Sequence, residues 1–350
     1  MKNLVIASSL LFTLTVKAQE YLPSPLLLLS DYFSHHVIVA EKSTHTLYLY
    51  KNTGGLPKLQ LKYQMATGKK AGDKIFQGDH RTPEGIYHFT EFLTHQDLLK
   101  RHGKAGEIYG VGAFVMNYPN PIDRYQGKTG GGIWLHSTND ETRIDKGLDS
   151  RGCIVAHNQN LIKISQFIEL NKTPIIVVHT LEHLKKNTWQ GEREQIIQSV
   201  ENWAEAWRTE NFNEYISHYS KDKFKDPRKG GYQNFKNYKR AVFANPGAPE
   251  IGISNLTILK TDEYAVVTFK QDYKSNTIQD TGKKILYLQK DPYYKWKIVA
   301  ERWSKLGIES EASEDTLAFE PKLRFFNSED PKQIFTRNLN LTQTQTQSSN

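Results

Sequence analysis

A chain of 350 residues that is 38% apolar, with 18 Tyr, 16 Phe and 6 Trp, has material for packed cores and enough length for two domains of about 150 residues. Its formal charge of +8 is dispersed without a dense Lys/Arg block, which speaks against nucleic-acid binding and suits a modest attraction to an anionic cell envelope. The single cysteine, Cys153, excludes a disulfide framework within the chain and a structural zinc site.

Residues 1–18 read as a signal peptide. Lys2 supplies a positive start, Leu4 to Val16 is an apolar run, and Val16-Lys17-Ala18 presents small residues where a signal peptidase cuts. The run is too short to span a bilayer comfortably, so the mature chain is expected in the periplasm without a membrane span. Residues 19–36 contain Pro23, Pro25 and the run Leu26 to Leu29; a short helix packing on another surface is expected, which leaves a homodimer open.

From Val37 the pattern changes to short β-type runs, Val37 to Ala40, Thr46 to Tyr50, Leu59 to Met65, Gly85 to Phe89 and Ile133 to His136, with Gly54-Gly55 as a turn. Asn158 to Leu170 has helical spacing, with Leu161, Ile162, Ser165 and Ile168 on one face, and Ile175 to Val178 reads as a closing strand. This predicts a mainly β domain with a flanking helix over residues 37–180, followed by a linker at 181–189.

Residues 190–308 have another rhythm. Glu192 to Arg208 places Ile196, Val200, Trp203, Ala204 and Trp207 on one stripe, and a shorter helix carries Phe212, Tyr215 and Tyr219. Four alternating runs follow, Ile251 to Leu259, Tyr264 to Asp272, Lys284 to Gln289 and Trp296 to Trp303, which predicts an α+β domain. Trp203, Trp207, Tyr219 and Trp303 are read as core filling, with the lining of a ligand pocket as the alternative. Residues 309–350 form a polar tail, expected to be disordered from Thr342.

An unpaired thiol in an exported protein asks for a chemical reason. Cys153 lies in Ser150-Arg151-Gly152-Cys153-Ile154, and His136 ends an apolar strand seventeen residues earlier. A thiol attacks an acyl carbon only as thiolate and needs a base beside it. The expected arrangement is His136 as base, Cys153 as nucleophile, and the Gly152 and Cys153 amides facing a developing oxyanion. No cofactor or metal is expected, since the twelve histidines are scattered and no His-Glu-x-x-His occurs.

The stretch from His136 to Cys153 resembles the signature of the L,D-transpeptidase catalytic domain, the YkuD-type β-sandwich. Gly78-Asp79-His80-Arg81-Thr82-Pro83-Glu84-Gly85, Asn117-Tyr118-Pro119-Asn120, Asp123-Arg124 and Gly130-Gly131-Gly132 agree with it in order. The resemblance implies peptidoglycan stem peptides as partner, with Cys153 attacking the bond between an L-centred diamino acid and a terminal D-alanine. It implies that the Ser137 carbonyl orients the His136 ring, and that Arg151, Ser150 and Tyr118 contact substrate. Ser137 stands where the family usually has Gly, and Val155 where it has Arg or Asn.

Residues 190 to 305 resemble the nuclear-transport-factor-2-like cone, a fold that often holds a ligand. The pairing of the two modules resembles cell-shape-determining L,D-carboxypeptidases and so implies trimming of tetrapeptides to tripeptides. The alternatives are 3-3 cross-linking, attachment of a protein or amino acid to the wall, and a non-catalytic wall-binding scaffold.

Overall fold

The computed structural model describes residues 20–245, 247–306 and 319–326. The segment read as a signal peptide and the end of the tail lie outside them. The chain forms a mainly β domain and an α+β domain, each built round its own sheet.

The first sheet has nine strands. It runs, in spatial order, Ile154–Ala156, Trp134–His136, Gly112–Met116, Gly85–Thr94, Pro174–Val178, His36–Glu41, Thr46–Thr53, Leu56–Gly68 and Leu148–Ser150. Ile154–Ala156 also pairs antiparallel with Leu56–Gly68, Val155 opposite Ala66 and Ala156 opposite Met65, so the sheet closes into a barrel. The expected strands are present. Gly112–Met116 and the helix His95–His102 were not anticipated. The helix carries Thr94 as N-cap with Asp97 completing a capping box, a signal present in the sequence.

The second sheet has five strands, Trp296–Lys305, Gln279–Lys290, Ala265–Lys274, Glu250–Lys260 and Leu26–Leu28. The helices Lys186–Arg208, Phe212–Ser217 and Tyr232–Phe243 accompany it. Its core holds Ile196, Val200, Trp203 and Ala204 from the predicted helical stripe, together with Tyr215 and Tyr219. The segment expected as a linker is structured: His183–Lys185 is a strand and the long helix already begins at Lys186.

Alternation along the strands explains why apolar runs are continuous at the centre of the molecule. Ile38 and Ala40 enter the barrel core, whereas Val37 and Val39 enter a second cluster shared with Leu259, Val266, Tyr287 and Val299 of the other sheet. Strands sandwiched between two cores are apolar on both faces. Tyr264 ties the contact: its Oη accepts from the Ile86 N–H at 2.7 Å and from Asn120 Nδ2 at 2.9 Å.

The N-terminal segment corrects the sequence reading. It is not a helix but two strands, Tyr21–Pro23 paired with His183–Lys185, and Leu26–Leu28 paired with Glu250–Lys260. Pro23 and Pro25 bias the residues before them towards extended backbone, and a run of leucines can satisfy either period. Leu27 is buried in the cone core and Leu26 in the shared cluster, so the run is used within the chain and not on a partner subunit. The tail likewise departs from a purely polar segment. Phe319 stacks on His35 with ring centroids 3.7 Å apart, and Phe326 joins the barrel core.

Candidate active site

The strand Trp134–His136 runs between Gly112–Met116 and Ile154–Ala156, so His136 sits opposite Ala113 on one side and Val155 on the other. Pairing Val155 with His136 places the loop expected to carry the nucleophile, which ends at Cys153, beside the start of the histidine strand. His136 and Cys153 line one cleft of about 480 Å³.

The imidazole is held on two sides. His136 Nδ1 lies 2.5 Å from the Ser137 carbonyl oxygen. A carbonyl only accepts, so Nδ1 carries the proton and Nε2 the lone pair. Tyr109 stands edge-on to the ring at 4.9 Å between centroids. Gly110 follows with φ +59°, and a Cβ there would lie 2.4 Å from Ser137 Oγ, so only glycine lets this loop close on the histidine strand. The Ser137 hydroxyl accepts from the Val111 N–H at 2.8 Å and donates to the Tyr109 carbonyl at 3.2 Å, which fixes the same contact. A glycine at position 137 could not do this.

Ser150 organises the nucleophile loop. Its hydroxyl donates to the Cys153 carbonyl at 2.6 Å and accepts from the Gly152 N–H at 3.0 Å. The Gly152 amide, expected to face an oxyanion, is therefore engaged inside the loop. Ser150, expected against substrate, lines the cleft but is buried, its hydroxyl engaged as a brace within the loop. Gly152 has φ +127°, and a Cβ on it would meet the Arg81 carbonyl oxygen at 2.8 Å. Its glycine is required by the close approach of the Thr-Pro segment.

Cys153 Sγ lies 3.5 Å from the Gly132 carbonyl, to which the thiol donates. Burial pushes the thiol up to about 11, against the Trp134 amide and the charges of Arg143 and Lys74. Burial also brings His136 down to about 4; the Ser137 carbonyl opposes this and Arg143 adds to it. At neutral pH the pair is thus a neutral thiol and a neutral imidazole with its free lone pair on Nε2.

The two other residues expected against substrate differ in placement. Tyr118 is in the barrel core, its hydroxyl bonded to the Thr129 carbonyl at 3.2 Å, and is not among the cleft residues. Arg151 does line the cleft but is exposed. Val155 packs with Ala66 and Ile144 in a small buried cluster, so the position usually polar in the family is structural in this chain. Nearby Asn158 is engaged within the fold, its Nδ2 holding the Thr138 carbonyl at 2.9 Å. Tyr109 and Arg143 line the cleft and were missed by sequence reasoning, because the short helical turns that carry them, Gly103–Tyr109 and Thr142–Asp145, hold no motif.

A family model described as the L,D-transpeptidase catalytic domain matches residues 35–177, and one described as the Cds6 C-terminal NTF2-like domain matches residues 195–302. Bd1075 of Bdellovibrio bacteriovorus is similar over both domains. It is 30% identical, with 82% of this chain and 99% of that one covered and a TM-score of 0.71. This chain belongs to the L,D-transpeptidase family. The helical cell shape determining protein Pgp2 of Campylobacter jejuni is also similar, at 28% identity over 79% of this chain and 95% of its own, with a TM-score of 0.63. Comparison with curated proteins returns no match.

This L,D-transpeptidase-family chain has a second large cavity, of about 690 Å³, where the cone meets the barrel. Lys239, Lys283, Glu301, Arg302 and Trp303 are among its lining residues. Trp203 and Tyr219 are instead buried in the cone core, where the Trp203 Nε1 donates to Tyr219 Oη at 3.1 Å. Among the described residues no helix is long and apolar enough to cross a membrane.

Proposed function

We propose that this protein is an exported L,D-carboxypeptidase that trims peptidoglycan stem tetrapeptides to tripeptides through a Cys153 thioester. The observation that carries the reading is the shared cleft of His136 and Cys153, with the imidazole locked in the tautomer that leaves Nε2 as base. The Cys153 thiol passes its proton to His136 Nε2 as sulfur bonds to the carbonyl carbon of the diamino acid. His136 returns that proton to the departing nitrogen, the C–N bond breaks and D-alanine leaves. Water then attacks the thioester, giving a proton to His136 Nε2, which delivers it to the leaving sulfur. Of the two amides expected to face the oxyanion, only that of Cys153 is not taken by Ser150.

The two-domain likeness to a cell-shape protein supports wall trimming as the role. Digestion of purified sacculi, with muropeptides resolved by mass, tests it. Tetrapeptides should become tripeptides with release of D-alanine. Dimers joined between two diamino residues would replace trimming by cross-linking, and unchanged muropeptides would favour a scaffold. Export predicts a mature N-terminus at Gln19, read by sequencing the periplasmic protein.

A further inference from the structure

The cleft carries four cations, Lys69, Arg143, Lys146 and Arg151, against Asp140 and Asp149. Lys69, Lys146 and Arg151 are exposed, whereas the Arg143 side chain is only 12% accessible. Its head is fixed. Nε donates to Asp149 Oδ2, and Nη1 donates to Thr138 Oγ1 at 3.1 Å and to the Ile108 carbonyl at 3.4 Å. Among the described residues Nη2 makes no hydrogen bond. A guanidinium already immobilised on one edge loses little further freedom when its remaining amino group binds an anion. The positive charge reaches both partners of the reaction, since Arg143 lowers the pKa of His136 and of Cys153.

The substrate implied by the proposed function presents its free C-terminal carboxylate one residue beyond the carbonyl that Cys153 attacks. Consecutive residues advance by about 3.5 Å, so a group bound beside the thiol brings that carboxylate within the same cleft. We propose that Arg143 is the specificity-determining residue that binds the free carboxylate of the residue to be released, and so restricts this enzyme to chain ends. The inference rests on the carboxypeptidase reading of the site. It moves the carboxylate contact expected at Arg151 to a side chain that Asp149, next to the nucleophile loop, holds in place.

The test compares a stem tetrapeptide with its C-terminal primary amide, using the full mature chain and following release of D-alanine or D-alanine amide by mass. The wild type should favour the acid by about 10- to 100-fold in kcat/KM, the range of one charged hydrogen bond. Arg143→Gln should lose that factor on the acid, mainly through KM, over and above whatever loss of the charge costs the amide, so that the preference vanishes. Arg143→Lys, which keeps the charge, should restore part of it, and Arg151→Gln should keep the preference. If Arg143→Gln keeps the preference, or weakens acid and amide equally, Arg143 is only a latch for the loop at 138–149 and the proposal falls. A wild type that releases neither product overturns the carboxypeptidase reading and this inference with it. Release of D-alanine by the wild type with an unaltered preference in the variant overturns the role of Arg143 alone.

Discussion

The barrel cleft and the interior of the cone bury ionisable groups to opposite ends. In the cleft, His136 and Cys153 lack a close countercharge, so burial drives both towards their neutral forms, near 4 for the imidazole and near 11 for the thiol. In the cone, Glu301 is buried as well, yet Lys284 at 3.0 Å and the Tyr219 hydroxyl at 2.9 Å outweigh desolvation and hold its carboxyl below its ordinary range. Burial alone therefore decides nothing about charge; the partner within reach does. A neutral pair is suited to a proton transfer timed with attack, and a paired charge to holding a frame.

The sharpest break of this contrast is chemical. Cys153→Ala and His136→Ala should each lower turnover on tetrapeptide by at least about a thousandfold, the order expected when a nucleophile or its base is removed. Their melting temperatures should stay within a few degrees of the wild type. Comparable residual activity in either variant would mean that another group carries the reaction.

In the cone the same kind of change should act on stability. Glu301→Ala leaves Lys284 buried without its partner and should cost about 3–5 kcal/mol, measured by urea unfolding, with activity per folded molecule retained on a short soluble peptide. A cost below about 1 kcal/mol would show that the pair does not hold the frame. Between the domains, Tyr264→Phe strands the Ile86 N–H, leaves Asn120 Nδ2 only its bond to the Ile86 carbonyl, and should cost about 2 kcal/mol. A neutral effect there would mean that water reaches both donors.

Proton binding gives the most direct readout. His36, His88 and His136 are each brought by burial to about 4 from an ordinary 6.5. Between those values the unfolded chain binds more protons than the folded one, so stability should fall as pH drops from 6.5 to 4. Loss of the depressed carboxylates, such as Asp79 at about 2, belongs below that window. A flat melting temperature between pH 6.5 and 4.5 would contradict the buried neutral histidines. The kcat/KM profile should keep a plateau from about 4 to about 11; a limb near 7 would instead mark a thiolate–imidazolium pair.

The parts of the site that were legible in the sequence are those fixed by short spacing. His136 at a strand end and Gly152-Cys153 at the entrance to the next strand are local signals, and the parallel pairing of those two strands brings them together. The Ser137 carbonyl was anticipated only through the family resemblance, and it lies against His136 Nδ1. Tyr118 falls outside the cleft because a motif gives the residue and not the direction of its side chain: it lies in the loop after Gly112–Met116, and its ring turns into the barrel core. Arg143 and Tyr109 reach the cleft from the short helices Thr142–Asp145 and Gly103–Tyr109, too short for any periodicity to reveal.

The same division runs through the fold. Alternation and helical stripes in the sequence determined a mainly β domain followed by an α+β domain, because period and turn residues are properties of neighbours in the chain. Only the tertiary structure decided that Leu26–Leu28 is an edge strand of the cone, that Val37 and Val39 meet Val266 and Val299, and that the Gly152 amide is spent inside its loop. Each of these depends on which distant surface lies opposite. A leucine run or a free amide is indifferent to its partner until long-range packing supplies one.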